Sequence, residues 1–164
     1  MRKFEIVKEE FKKGLNNYNN FKLPKRATER SSGYDFYNNL NEDIIVNPKT
    51  SFMYWTDIKY VSDADKEFLL IIPRSSLGIK QNMFLKNTVG DVDIDYANNV
   101  KNDGNIGISI FNYGEAPLII PAGQAIAQGI IMNFSIVDND EPVSKERVSG
   151  FGSTNKEKTN ERNN

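Results

Sequence analysis

Cysteine and histidine are both absent from this chain of 164 residues. Together these absences exclude Ser-His-Asp and Cys-His nucleophile systems, zinc held by thiolate or imidazole, and the zinc-dependent deaminase site. Proton transfer is left to Asp, Glu, Lys or Tyr, and any metal must be a hard cation on oxygen ligands, with Mg²⁺ the first candidate. The lack of cysteine fits a reducing compartment. No apolar run reaches the length a membrane span needs, and no charged-then-apolar leader opens the chain, so the expectation is a soluble, cytoplasmic protein without a membrane partner. A basic excess is missing too: the net charge is −1, which argues against direct nucleic-acid binding.

What is present is enough for one domain, since 38% of the residues are hydrophobic and a chain of this size buries a real core. The middle is written in short apolar runs, IIVN, FMYWTDIKYV, FLLIIP, NIGISIFN, APLIIPAG and AIAQGIIMNFSIV, punctuated by Pro, Gly, Asn and Asp. Runs rich in Val, Ile, Phe and Tyr at such intervals predict a barrel or sandwich of short strands, an all-β fold. Only FEIVKEEFKKG, near the start, has the makings of a helix, and its Phe4/Ile6 alternation fits a strand nearly as well. The Asn-rich LNNYNN and the charged stretch after Phe151 read as solvated segments flanking the folded middle.

Five segments break the apolar pattern and concentrate polar groups: SSGYDF (31–36), PRSSLGIK (73–80), NTVGDVDIDYANN (87–99), AGQAIAQG (122–129) and RVSGFGST (147–154). In the second, Arg74, Ser75 and Ser76 follow an apolar strand and enter a turn with Gly78 just beyond. A guanidinium fork beside hydroxyls and free amides suits phosphate, although a surface arginine closing a strand has the same sequence. In the third, Asp91, Asp93 and Asp95 alternate, so a strand there would turn all three carboxylates to one side, at a cost that water, a cation or a catalytic role must offset. A solvated Asp-rich turn is the alternative, and Tyr96 adds a ring beside a possible base. Gln128 interrupts a core-directed run and either bonds neighbouring backbone or faces a ligand. Phe151 stands between Gly150 and Gly152, followed by Ser153 and Thr154: an aromatic on freely bending backbone, which reads as a frayed terminus or as an arm that stacks a ring on a ligand.

Taken in order, SSGYD, PRSSLGIK, NTVGDVDIDY, GQAIAQG and RVSGFGST resemble the five motifs of the homotrimeric dUTPase family, over roughly residues 23–154. The resemblance implies a distorted jelly roll (residues 1–146), a C-terminal arm and polar tail (147–164), and a homotrimer with active sites shared between subunits. It implies hydrolysis of dUTP to dUMP and pyrophosphate through attack of water on the α-phosphorus. Asp93 matches the carboxylate that orients and deprotonates that water, and Tyr96 the ring under the deoxyribose that excludes a 2′-hydroxyl. Asn87 and the backbone around Gly90 match the turn that bonds the uracil edge. Ser75 matches the hydroxyl on a bridging phosphate oxygen, with Arg74 and Ser76 completing the cradle and Gln128 contributing an amide to the phosphates. Asp35 matches a carboxylate that reaches Mg²⁺ indirectly, through water, the metal sitting mainly on the triphosphate. In the arm, Phe151 would stack on uracil, Arg147 would grip the γ-phosphate, and Gly152, Ser153 and Thr154 would close over the phosphates.

Some positions depart from the family pattern. Asp91 stands where an apolar residue is usual, Ala97-Asn98-Asn99 replace a basic-Gly-acidic continuation, Ala125 replaces an arginine, and Ser149 and Asn155 replace glycines. Two other functions therefore stay open at this point. One is dCTP deamination on the same fold. The other is a nucleotide-gated binding module that engages a protein partner, as a phage or mobile-element protein would.

Overall fold

The computed structural model describes residues 1–13 and 15–142, and in these the regular structure is almost entirely strand. The strands in order are β1 (Arg2–Ile6), β2 (Lys25–Arg26), β3 (Tyr34–Tyr37), β4 (Ile44–Val46), β5 (Ser51–Trp55), β6 (Ile58–Ser62) and β7 (Glu67–Pro73). After a short helix, α1 (Ser75–Lys80), come β8 (Met83–Leu85), β9 (Gly90–Asp93), β10 (Gly107–Asn112), β11 (Leu118–Ile120) and β12 (Ala125–Asn133). The ambiguous N-terminal segment resolves as strand, with β1 pairing antiparallel to β6, and only Glu9–Phe11 takes a single 3-10 turn. Pairing wins because the Phe4 ring packs against Tyr34, Phe36 and Tyr60, centroids 5.3 to 5.6 Å away; a helix of that length, unsupported, is marginal in water.

The sheet that carries the site has the order β2-β3-β12-β7-β9, all antiparallel; a second has the order β5-β10-β8, and two-stranded β1-β6 and β11-β4 complete the body. Alternation along β7 and β10 sends Leu69, Ile71, Ile108 and Ile110 inward, where they meet Phe36, Tyr54, Ile58, Leu77, Leu85, Ile120 and Ile126. Leu77 anchors α1 to this core from the middle of a helix whose other residues stay at the surface or half-covered. Gly129 has to be glycine for packing: a Cβ there would stand 3.0 Å from both Leu69 and Phe36. No helix among the described residues is long and apolar enough to cross a membrane.

The opposite face of the five-stranded sheet is different. Phe68, Leu70, Ile72, Ile130 and Met132 project from it, half-covered or exposed, beside the polar Asp35, Gln128, Asp91 and Asp93. This apolar stripe framed by carboxylates lies outside the chain's own core.

Candidate active site

Antiparallel register places the candidate residues relative to one another. One row across the sheet runs Lys25, Asp35, Gln128, Ile72, and the next runs Arg26, Tyr34, Gly129, Ile71, Gly90. Two residues beyond Ile72, where β7 ends at Pro73, the chain turns into α1 with Arg74 at its N-cap position. The Arg74 Nε thereby comes within 3.3 Å of Asp35 Oδ1. Asp35 is buried whereas Arg74 is about one-third exposed, so the guanidinium sits at the mouth of the cluster with donors left over for an anion.

The Gln128 side chain lies over Gly33, where an added Cβ would stand 2.4 Å from Oε1. This explains the glycine in SSGYD: it clears space for the amide of a strand not adjacent in sequence. Ser75 and Ser76 are exposed on the first turn of α1, where backbone N–H groups have no intrahelical acceptor. The expected turn after β7 is thus a short helix, formed because Pro73 ends the strand and Leu77 has a core position to fill. Arg74, Ser75, Ser76, Asp35 and Gln128 assemble at one end of the sheet.

The third segment is placed elsewhere. A tight turn through Asn87 and Thr88, the latter at φ 71°, leads into β9, with Asn87 exposed and the Val89 N–H donating to its carbonyl at 2.8 Å. Gly90 sits opposite Ile71, whose Cβ would lie 3.0 Å from a Cβ at that position. Only two of the three alternating aspartates share the strand: Asp91 is exposed opposite Leu70, Asp93 is half-buried opposite Phe68, and Asp95 swings off on a 3-10 turn, Ile94–Tyr96. Asp91 faces solvent, so its charge is screened by water. Phe68 lies four residues along β7 from Ile72, so Asp93 and the Asp35-Gln128 row are separated by roughly 13 Å along the sheet. The chain therefore builds a phosphate-type cluster and a carboxylate edge on one sheet face, and does not bring them together within a single subunit.

Tyr96 ends the carboxylate segment. Buried and held by its hydroxyl, it donates to the Asn105 carbonyl at 3.0 Å and accepts from Asn102 Nδ2 at 2.5 Å. At Ala125, the start of β12 is buried opposite Tyr37, and a cation reaches this corner from elsewhere: Lys22 Nζ stands 5.2 Å over the Tyr37 ring and donates to the Gly123 carbonyl at 3.1 Å. Arg147, Phe151, Gly152, Ser153 and Thr154 lie outside the described residues, as does the boundary expected at 146/147.

One buried polar network escaped sequence reading. Asp57, fully buried, accepts from Asn105 Nδ2, Asn16 Nδ2, Tyr18 Oη and the Lys13 N–H at 2.6 to 3.0 Å, and Lys59 Nζ pairs with buried Asp103 at 2.9 Å. Burial, together with the bond to Asp57, holds the Tyr18 phenol well above its ordinary value. The available signal was the pair of charges inside the apolar run FMYWTDIKYV, since buried charges demand partners.

A magnesium ion fits this chemistry in one way only. Among the described residues no group of three acidic side chains converges on a point, and the Asp35 carboxylate is already engaged by Arg74. That suits a cation held mainly by phosphate oxygens and water, with Asp35 reaching it indirectly, and does not suit an all-protein cage.

The dUTPase family profile matches residues 19–155. The deoxyuridine 5′-triphosphate nucleotidohydrolase of Lactococcus lactis is 36% identical over 155 residues, covering 94% of this chain and 97% of that protein. The enzyme of the same name from Pseudomonas aeruginosa is 33% identical over 138 residues, covering 80% and 86%. Among solved structures, the dUTPase of Streptococcus mutans superposes with a TM-score of 0.68 at 30% identity, covering 82% of this chain and 98% of that one. The all-β, jelly-roll expectation is thereby borne out, and the chain belongs to the dUTPase family.

Proposed function

We propose that this protein hydrolyses dUTP to dUMP and pyrophosphate. The observation that carries the reading is the Arg74-Asp35-Gln128 cluster beside the exposed Ser75 and Ser76, on the same sheet face as a strand ending in Asp93. Relatives named as nucleotidohydrolases favour hydrolysis over deamination and over binding alone.

In this reading Asp93 is the general base. With no histidine in the chain, a half-buried carboxylate is the group available to take the proton of a water as it attacks the α-phosphorus. Arg74, the Ser75 and Ser76 hydroxyls and the Gln128 amide bind the phosphates and neutralise charge that grows on their oxygens in the transition state. The Asn87–Gly90 turn offers backbone to the uracil edge, where bonds to one base edge reject cytosine because the site's own polar groups would be left unpaired. Tyr96 supplies a fixed surface for the deoxyribose. The arm residues Arg147, Phe151, Gly152, Ser153 and Thr154 close over base and phosphates; stacking worth ~1–3 kcal/mol per base supports this role for Phe151. Mg²⁺, reached by Asp35 through water, would supply charge neutralisation of the triphosphate.

The roughly 13 Å between Asp93 and the Gln128 row is bridged by assembly. A second copy seated on the face of half-covered Phe68, Leu70 and Ile130 and exposed Met132 brings its carboxylate edge toward the first copy's phosphate cluster, and a homotrimer closes this head-to-tail arrangement.

The test is pyrophosphate release from dUTP, dTTP, dCTP and UTP in parallel, each with Mg²⁺ and with a chelator. Release from dUTP alone, lost on chelation, is expected. Ammonia release from dCTP, or tight dUTP binding with negligible turnover, overturns the reading.

A further inference from the structure

The loop 97–105, which begins with the Ala97-Asn98-Asn99 departure from the family pattern, is a network of amides built around the Tyr96 hydroxyl. Asn99 Nδ2 donates to the Tyr96 carbonyl at 2.7 Å and to Asn102 Oδ1 at 2.6 Å, while Asn99 Oδ1 accepts from the N–H groups of Lys101 and Asn102. Asn102 is thus fixed, with its Oδ1 also taking the Gly104 N–H at 3.1 Å and its Nδ2 aimed at Tyr96 Oη, 2.5 Å away. The phenol proton goes to the Asn105 carbonyl. Asn105 is held in turn by an amide-to-carboxylate clamp: its Oδ1 accepts from the Asp57 N–H at 3.0 Å and its Nδ2 donates to Asp57 Oδ1 at 2.8 Å and to the Phe11 carbonyl at 3.2 Å. Gly104, at φ 82°, lets the loop fold onto Ala97, whose Cα would stand 2.8 Å from a Cβ there.

These contacts leave the Tyr96 hydroxyl with its proton committed to Asn105 and an acceptor site filled by Asn102. With the hydroxyl engaged by the loop, the position of the ring is tied to the loop's own position. A surface that rejects one added hydroxyl by steric contact works only if it cannot retreat, because a shift of a few tenths of an ångström makes room.

We infer that Asn102 and Asn105 are positioning residues that fix the Tyr96 ring, and that this asparagine clamp sets the discrimination between deoxyribose and ribose nucleotides. The inference rests on the reading of Tyr96 as the sugar platform. Neither asparagine touches the nucleotide; both act through the phenol.

The experiment compares kcat/KM for dUTP and UTP in wild type, Asn102→Ala, Tyr96→Phe and Tyr96→Ala, with thermal unfolding of each. Asn102→Ala removes one bond at the phenol, and Tyr96→Phe removes both while keeping the ring. The expected result is a UTP-to-dUTP ratio raised about fivefold in Asn102→Ala, the size one hydrogen bond commonly supplies, and about 25-fold in Tyr96→Phe, with kcat for dUTP reduced far less in Asn102→Ala. A lowered Tm with an unchanged ratio in both variants, while Tyr96→Ala does relax discrimination, overturns the clamp and leaves the platform standing. An unchanged ratio in Tyr96→Ala overturns the platform, and the clamp with it.

Discussion

Asp93 has one role in the proposed chemistry, and a change of one atom tests it. Asp93→Asn keeps the volume but cannot take a proton, so turnover is expected to fall by ~10²–10⁴-fold while affinity for a non-hydrolysable dUTP analogue persists. Steady-state kinetics with calorimetric binding reads both; near-normal turnover removes Asp93 as the base. Phe151→Ala should weaken turnover less, since it removes stacking and leaves the chemistry in place.

Glu67 makes a residue-scale prediction about stability. Burial opposes its charge, but bonds from Tyr60 Oη, Arg2 Nε and Ser62 Oγ at 2.5 to 2.8 Å outweigh that and hold its carboxyl below its ordinary 4.5. A depressed carboxylate contributes stability above its unfolded pKa and loses it as pH falls through the lower folded value. Glu67→Gln, which keeps an oxygen for Tyr60 and Ser62 but loses the charge that strengthens those bonds and pairs with half-exposed Arg2, should therefore cost about 1 kcal/mol at pH 7, with the gap to wild type narrowing below pH 4.5. Urea unfolding at pH 7 and pH 3.5 measures it; a gap independent of pH refutes the assignment.

At the scale of elements, the loop after β9 and the N-terminal segment form one unit. Lys59 and Asp103 lie 2.9 Å apart in the interior, the Lys8 N–H and Asn98 Oδ1 join the pair, and Asp103 Oδ1 has no partner among the described residues. Removing one partner strands a buried charge, so Asp103→Ala should cost ~3–5 kcal/mol, whereas Lys59→Met with Asp103→Leu should cost much less. A cycle of Lys59→Met, Asp103→Leu and the double variant by thermal unfolding gives the coupling, and additive losses would show that the pair is not a unit. The same loop accounts for what stayed hidden in the sequence. Its asparagines look like solvated turn residues until Asp57, some forty-eight positions from Asn105, is seen to hold one of them.

For the whole molecule, the decisive prediction concerns sites shared between copies. Asp93→Asn and Arg74→Ala subunits, each inactive alone, should regain about a quarter of wild-type activity when dissociated, mixed in equal amounts and reassembled, because about a quarter of sites then pair two intact contributions across a head-to-tail contact. No recovery would place both residues in the same subunit's site. Met132→Glu, on the apolar face, should shift the assembly toward monomer in sedimentation and reduce turnover in proportion.

The sequence alone determined the strand-rich class, the chemistry that missing Cys and His forbid, and five polar segments in an order that points to one family, because each depends on composition or on neighbours along the chain. It also left local possibilities open. The N-terminal segment was open between helix and strand until the Phe4 ring found Tyr60 and Phe36, and the alternation of Asp91, Asp93 and Asp95 broke when Tyr96 was drawn into the interior by Asn105. Only the tertiary structure decided that Asp35 meets Arg74, that Gly33 makes room for Gln128, and that Asp93 stands apart from both. These are contacts across antiparallel register, and register is set by which faces can be buried together, a property of the packed sheet that no single segment carries.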